Sequence, residues 1–441
     1  MAFLQIKSTN PIFSYILRKN PDSGLLAKEL RKGVIFGYYS DEGRIYNIYF
    51  RDAFNDISYP EYKDQEFEYV NSTRYSSAQF VLNALSEILR DAFKKRDLEQ
   101  DPDGSFVNTL VCNMIHLDNK RTLTAFMQHF SDMCTIEAEE VTPKYYKITI
   151  TTNMSIFYLL NLTNLFAAFT VIRNKSEYLF LDDQTIEKYF TSLAVLDPPY
   201  FIRYHFKIEL LRGSKTFEQY RTMLQTSLRY PIVLRQGDTV QMRMDAIEKE
   251  LSFSNHIVDV GCGDGRYILP FTRRMLKGKS YYAIDTDEEC RNSVARKVRL
   301  KEISNVQVLE SLDAFLVVAP QEKIDFVLGE VIEHMSVEEA TQLVLKCLTL
   351  KQCNSIILTT PNADFNQFFF EDKEMRHSDH KFEFTMEEFK EWIALIEYPV
   401  QVKLLEVGDK VNEIPVTLGA VFYCFPDGGI SEISYQQPTR D

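Results

Sequence analysis

The sequence predicts an α/β chain in two parts: a C-terminal, doubly wound α/β domain with a mostly parallel seven-stranded sheet, preceded by an α+β domain. Three observations lead there. The 441 residues exceed what one hydrophobic core usually organises, so two domains are expected. Residues up to about 210 mix strand-like runs, such as VIFGYYS and YYKITITT, with apolar helical stretches and carry no catalytic spacing. From His256 the rhythm changes to short apolar strands alternating with amphipathic helices, the pattern of a parallel sheet covered on both faces.

In chain order, the second part predicts strands at HIVDV, SYYAI, VQVL, DFVLG, SIILTT, VQVKLLEV and GAVFYCF. Helices are expected between them at about 264–277, 286–301, 336–349 and 386–397. The helical, polar passage at about Arg212–Met244 reads as the connection. The expected division is an N-terminal domain at 1–210, a linker at 211–237, the α/β domain at 238–425 and a tail at 426–441.

Met154–Ile172 is uncharged and about long enough to span a bilayer. Asn161, Asn164 and several hydroxyls within it, with no second span and no basic flanks, predict a buried core helix and no membrane partner. Seven scattered cysteines with no CxxC pair, and an N-terminus without a signal-peptide pattern, predict a reducing cytoplasm and no zinc ribbon. The net charge of −13 argues against nonspecific adhesion to nucleic acid or anionic membrane. A nucleic-acid site must then be locally basic. Between Arg266 and Lys301 ten Lys/Arg stand against four acids, a balance of +6, either as solvated helix faces or as phosphate contacts.

The first α/β strand runs into Asp259-Val260-Gly261-Cys262-Gly263-Asp264-Gly265. Gly261 and Gly263 let a ligand approach the backbone, while the acids Asp259 and Asp264 would repel a pyrophosphate and suit a cationic ligand with an amino group. S-adenosylmethionine is such a ligand. Asp285, ending the second strand, is placed to accept bonds from both ribose hydroxyls, and Ser311, after the third, to reach the adenine. Each could instead cap the helix that follows it.

The fourth strand delivers Glu330-Val331-Ile332-Glu333-His334, and on a helical turn Glu330, Glu333 and His334 would share a face. Two carboxylates and an imidazole at a sheet end are costly unless a cation neutralises them; without a thiol, Mg2+ or Mn2+ is favoured over zinc. His377 and His380, in RHSDHKFEF, each offer a fourth ligand, against the alternative of satisfied surface or core imidazoles.

These segments carry a resemblance. EVIEHM at 330–335, TPNADFN at 360–366 and RHSDHKFEF at 376–384 resemble, in order, the signatures of the HEN (Hua-enhancer) small-RNA 3′-terminal ribose 2′-O-methyltransferases, especially two-domain bacterial members. The chain departs from the family pattern at Phe384, where Trp is common, and at Met386, where Arg is frequent. The resemblance implies a Rossmann-like S-adenosylmethionine-dependent methyltransferase domain, with Glu330, Glu333, His334 and His380 as metal ligands and Asp285 and Ser311 on the donor. It leaves His377 as a base or an RNA contact. Segments 69–86 and 165–190 resemble the half that, in bacterial members, binds and activates a polynucleotide kinase-phosphatase-ligase in RNA repair.

The implied substrate is RNA with a free 3′-terminal 2′,3′-diol, because a metal chelating both oxygens can activate the 2′-hydroxyl only at an end. Two alternatives stand beside it: a non-catalytic ligase-activating scaffold with a degenerate methyltransferase domain, and a small-molecule methyltransferase.

Overall fold

The computed structural model describes residues 2–30, 33–51, 76–94, 96–97, 99–174, 183–369 and 375–424. The chain divides into two units, Met1–Arg229 and Tyr230–Asp441.

In the first unit seven strands form one sheet: β1 Ala2–Ser8, β2 Leu26–Leu30, β3 Gly33–Ser40, β4 Ile45–Arg51, β5 Asn108–His116, β6 Thr135–Thr142 and β7 Tyr145–Thr152. Their order is β2-β3-β4-β1-β5-β7-β6, antiparallel throughout. The apolar helix Ile156–Arg173 packs on the helix Ala78–Ile88 and on β5 and β7. It is a core helix: Leu159, Leu160, Leu162 and Leu165 have no exposed surface. The two asparagines that argued against a membrane span are satisfied inside the protein. Asn164 Nδ2 donates to Ser192 Oγ at 2.9 Å, and that hydroxyl donates to Asn161 Oδ1 at 2.8 Å.

The passage expected as a linker at 211–237 is largely folded. Its helix Ser214–Gln225 buries Phe217, Tyr220 and Leu224, with Tyr220 stacked on Phe190 at 5.0 Å. The fully buried Arg203 guanidinium donates to Leu224 O and Pro198 O, both at 2.8 Å, and to Asp197 at 2.5 Å. The passage is helical as expected, and it reads as polar because only these three apolar side chains are buried. The expected tail at 426–441 lies outside the described residues, as do 69–75 and 175–182 of the two N-terminal segments quoted above.

In the second unit the strands are β8 Ile232–Val233, β9 His256–Val260, β10 Tyr281–Ile284, β11 Val306–Leu309, β12 Ile324–Gly329, β13 Cys353–Pro361, β14 Val400–Val411 and β15 Ile414–Cys424. The sheet order is β11-β10-β9-β12-β13-β15-β14-β8. β9 to β13 are mutually parallel, and β15 and β14 turn antiparallel. The seven expected strands are all present. The eighth, β8, is two residues long and pairs with Val411 and Lys410 from within the expected linker. Alternate residues feed two cores: Ile257, Ala283, Val327 and Ile357 on one face, Val258, Tyr282, Phe326 and Ile356 on the other. That double burial is why these strands read as continuous apolar runs.

Helices differ from expectation mainly after β9. The expected 264–277 helix shrinks to Ile268–Thr272, because Gly263 and Gly265 adopt φ of +51° and +70°, which a right-handed helix cannot contain. A helix at Leu312–Val318 is additional to those expected, and the helical passage expected to about Met244 ends in a separate helix, Thr239–Glu250.

The folded connection gives a test. A fragment ending at Arg229 should unfold cooperatively, whereas one ending at Leu210 loses three buried apolar side chains at roughly 1.5–3 kcal/mol each, and Arg203 loses an acceptor. Urea denaturation should place the shorter fragment about 6 kcal/mol lower or find it unfolded; equal stabilities would mean the 214–225 helix is not part of this unit.

Candidate active site

Both halves of the candidate site sit at the carboxyl ends of the parallel strands. β9 leads into the Gly261–Gly265 loop, where the N–H groups of Gly261 and Cys262 both donate to Ile284 O, at 2.8 and 2.9 Å, tying the loop to the end of β10. A Cβ at Gly261 would stand 2.7 Å from Val331, but one at Gly263 would meet nothing within 4 Å. Gly263 thus faces open space, and a ligand can approach its backbone there.

Asp285, just beyond β10, borders that space. Its Oδ2 accepts from Gly263 N–H at 2.8 Å and its Oδ1 from Asp287 N–H at 2.9 Å. The helix Glu288–Leu300 is capped by Asp287, not by Asp285. Ser311 does cap: its Oγ accepts from Ala314 N–H at 3.1 Å, which leaves the hydroxyl proton to donate. Asp259 is 1% exposed and its carboxylate accepts from Tyr281 O–H at 2.6 Å. Burial pushes its carboxyl up to about 7, against the hydrogen bond from Tyr281 and helped by the charge of Asp285.

The second cluster departs from the expected helical turn. Glu330 has φ +59°, and only Ile332–His334 form a short 3-10 turn. Glu333, His334 and His380 bring one ligand atom each to within 4.8 Å of one another; Glu330 does not join them. Glu333 is fully buried. Its Oε2 accepts from Thr360 Oγ1 at 3.1 Å, while Oε1 is buried with no hydrogen-bond partner. Burial, then the nearby Glu330 charge, push its carboxyl well above the usual range. A buried carboxylate oxygen with nothing to neutralise it costs several kcal/mol in general, on the order of 1–3 for the lost bond alone. The residues therefore fit a divalent cation: two imidazoles, a carboxylate with a free oxygen and no thiol.

His380 is the better-prepared of the two late histidines. It is 6% exposed, and its Nδ1 meets Glu383 Oε1 at 2.5 Å, which leaves Nε2 as the nitrogen that could ligate an ion. Glu383 is itself held by Asn366 Nδ2 at 2.5 Å and by Arg376 N–H at 2.7 Å. Arg376 also donates to Asn366 Oδ1 at 2.9 Å and Asn362 O at 3.0 Å. His377 is exposed, its ring centroid 5.3 Å from that of His380. His334 is half exposed, with Nδ1 3.3 Å from Asp379.

Sequence reasoning missed the supporting layer. Glu383 was legible as a carboxylate three residues after His380, but Thr360, Asn366 and Arg376 carried no signal of their own. Nor did Arg243, on the helix Thr239–Glu250, whose Nη1 donates to Glu330 Oε2 at 3.1 Å. This ion pair diverts the fourth expected ligand. Of the ten basic residues at 266–301, five are spent within the fold: Arg266 on Asp264, Arg274 on Glu248, Lys279 on Glu322, Arg291 on Asp285 O, and Lys297 on Asp264 O.

Comparison with known proteins adds family. The family model of the Hen1 N-terminal domain matches residues 3–229, just over half of the chain, and a methyltransferase-domain model matches 257–351. A small RNA 2′-O-methyltransferase of Arabidopsis thaliana is 26% identical over 163 residues, covering 32% of this chain and 17% of the relative. The chain thus spans about a sixth of that relative's length. A chain in the solved Pnkp1/Rnl/Hen1 RNA repair complex is 24% identical, with TM-score 0.79, covering 96% of this chain and 100% of its own. A chain in another solved Pnkp1/Rnl/Hen1 complex is 25% identical, with TM-score 0.77 and the same coverage.

The raised carboxyl of Asp259 gives a pH test. The native state binds this proton more tightly than the unfolded chain, so its contribution to stability is full below about pH 4 and is lost as pH rises to about 7. Asp259→Asn should abolish that loss. The variant should gain about 2.6 kcal/mol on wild type between pH 5 and pH 8 by denaturant titration; a pH-independent difference would contradict a buried acid.

Proposed function

The chain belongs to the Hen1 family, and on that premise we propose that it transfers a methyl group from S-adenosylmethionine to the 2′-hydroxyl of the 3′-terminal ribose of an RNA. The observation that carries the proposal is the Glu333–His334–His380 cluster, with its partnerless buried carboxylate oxygen, brought together just beyond the end of β12, the strand beside the one that leads into the glycine loop. An ordinary small-molecule methyltransferase has no need of the cluster, and a degenerate scaffold has no reason to keep the Glu383 support behind it.

Asp285 and the Gly263 backbone hold the donor's ribose, and Ser311 donates toward its adenine. Glu333, His334 and His380, joined by Glu330, would hold Mg2+ or Mn2+. That ion, when bound, supplies Lewis acidity to the vicinal 2′ and 3′ oxygens of a terminal ribose. Glu383 keeps the His380 ring oriented throughout. His377, exposed beside it, takes the 2′ proton as the oxygen attacks the sulfonium methyl, a contribution of roughly 10²–10⁴ in rate. The N-terminal unit binds and activates a kinase-phosphatase-ligase, so that a broken RNA end is methylated before sealing.

With radiolabelled donor and Mn2+, RNAs ending in a 2′,3′-diol should accept methyl, whereas 2′-deoxy, 3′-deoxy and 3′-phosphate ends should not. Equal methylation of a 3′-deoxy end would sink the two-oxygen model. Glu333→Ala, His334→Ala and His380→Ala should abolish transfer yet bind S-adenosylmethionine in calorimetry, and Asp285→Ala should lose donor binding. For the N-terminal unit, residues 1–229 should raise self-adenylation of the ligase encoded by the same organism, and stimulation by 230–441 instead would reverse the assignment.

A further inference from the structure

The ion pair between Arg243 and Glu330 is poorly made. Arg–carboxylate pairs are strongest when two N–H groups meet two oxygens. Here one contact of 3.1 Å joins them, with the side chains 15% and 18% exposed. Arg243 Nε and Glu330 Oε1 are both buried without a hydrogen-bond partner. Each group therefore has unspent capacity facing inward, and Glu330 sits on left-handed backbone that non-glycine residues seldom adopt. A cation drawing Glu330 toward Glu333, His334 and His380 must take it from another cation, the guanidinium.

We infer that Arg243 is a positioning residue that holds Glu330 off the cation site until the α-carboxylate of the methyl donor takes the guanidinium in its place. The inference rests on the reading of this site as a donor and metal site. The sheet order shows which anion is near. Asp285 and Ser311 follow β10 and β11, so the adenosyl part lies over those strands. The amino-acid part then runs toward β9 and β12, where Arg243 stands. Tyr267, just after the glycine loop, places its ring 3.0 Å from where a Cβ on Gly329 would stand, and its phenol feels Arg243, Asp259 and Glu330 together. The pair is thus at the donor end of the loop. Exchange keeps the charges matched: the carboxylate meets Arg243, and Glu330 is freed for the metal. Donor and metal binding are then coupled, each tightening the other by the same factor.

The test measures Mn2+ affinity of the full-length protein by electron paramagnetic resonance. It is run alone, with saturating S-adenosylhomocysteine, and with saturating 5′-methylthioadenosine, which lacks the amino-acid carboxylate. S-adenosylhomocysteine should tighten Mn2+ binding roughly five- to tenfold and 5′-methylthioadenosine should not. Arg243→Gln should bind Mn2+ without nucleoside as tightly as the wild type does with S-adenosylhomocysteine, and gain nothing more from it. Arg243→Lys, keeping the charge, should restore part of the coupling. Equal tightening by both nucleosides in the wild type, or weaker Mn2+ binding by Arg243→Gln, would overturn the inference. So would a short RNA that replaces S-adenosylhomocysteine in full, since the anion would then be phosphate. Mn2+ binding that is lost in His380→Ala but indifferent to Arg243→Gln would overturn this inference alone. A wild type with no Mn2+ site under any condition would overturn the metal reading as well.

Discussion

The burial of Glu333 is the constraint around which the catalytic unit is arranged. A carboxylate with no exposed surface and one oxygen without a partner is expensive, and among the described residues Thr360 is the side chain that donates to it. His334 and His380 each bring a ring nitrogen to within 4.8 Å of it. The neighbouring segments are tied together: the N–H of Lys381 bonds to Glu333 O at 2.8 Å, and Ala363 N–H to Phe384 O at 2.9 Å. Both bonds hold the histidine segment against the end of the sheet.

Behind the first contacts stands a polar layer whose members support one another. Glu383 orients His380, Asn366 and the Arg376 N–H hold Glu383, and Arg376 anchors to backbone carbonyls of Asn362 and Val416, the latter at 2.5 Å. Geometry fixed this way needs little reorganisation when ligands arrive. The departures from the family pattern at Phe384 and Met386 leave it intact. Phe384 stacks on Trp392 at 5.5 Å in the apolar core, and Met386 N–H donates to Asp364.

The N-terminal unit follows other physics. Its antiparallel sheet and buried helix Ile156–Arg173 make a conventional core, within which Asn161, Asn164, Ser192 and Arg203 are hydrogen-bonded to neighbours.

Sequence by itself determined the α/β rhythm, because strands buried on both faces must read as apolar runs, and it determined the glycine loop, because only glycine tolerates those backbone angles without strain. It also named the acids and histidines, since carboxylates and imidazoles clustered at strand ends have few structural uses. Tertiary structure alone decided which of them meet. His380 rather than His377 turns inward because Glu383 and Arg376 hold it, and Glu330 stands apart because Arg243 reaches it from a helix 87 residues away. Likewise, the helical passage expected as a linker packs into the first unit because Phe217, Tyr220 and Leu224 find a surface to cover. Local patterning records which groups a segment offers, whereas partners distant in the chain fix their direction, and no periodicity carries that information.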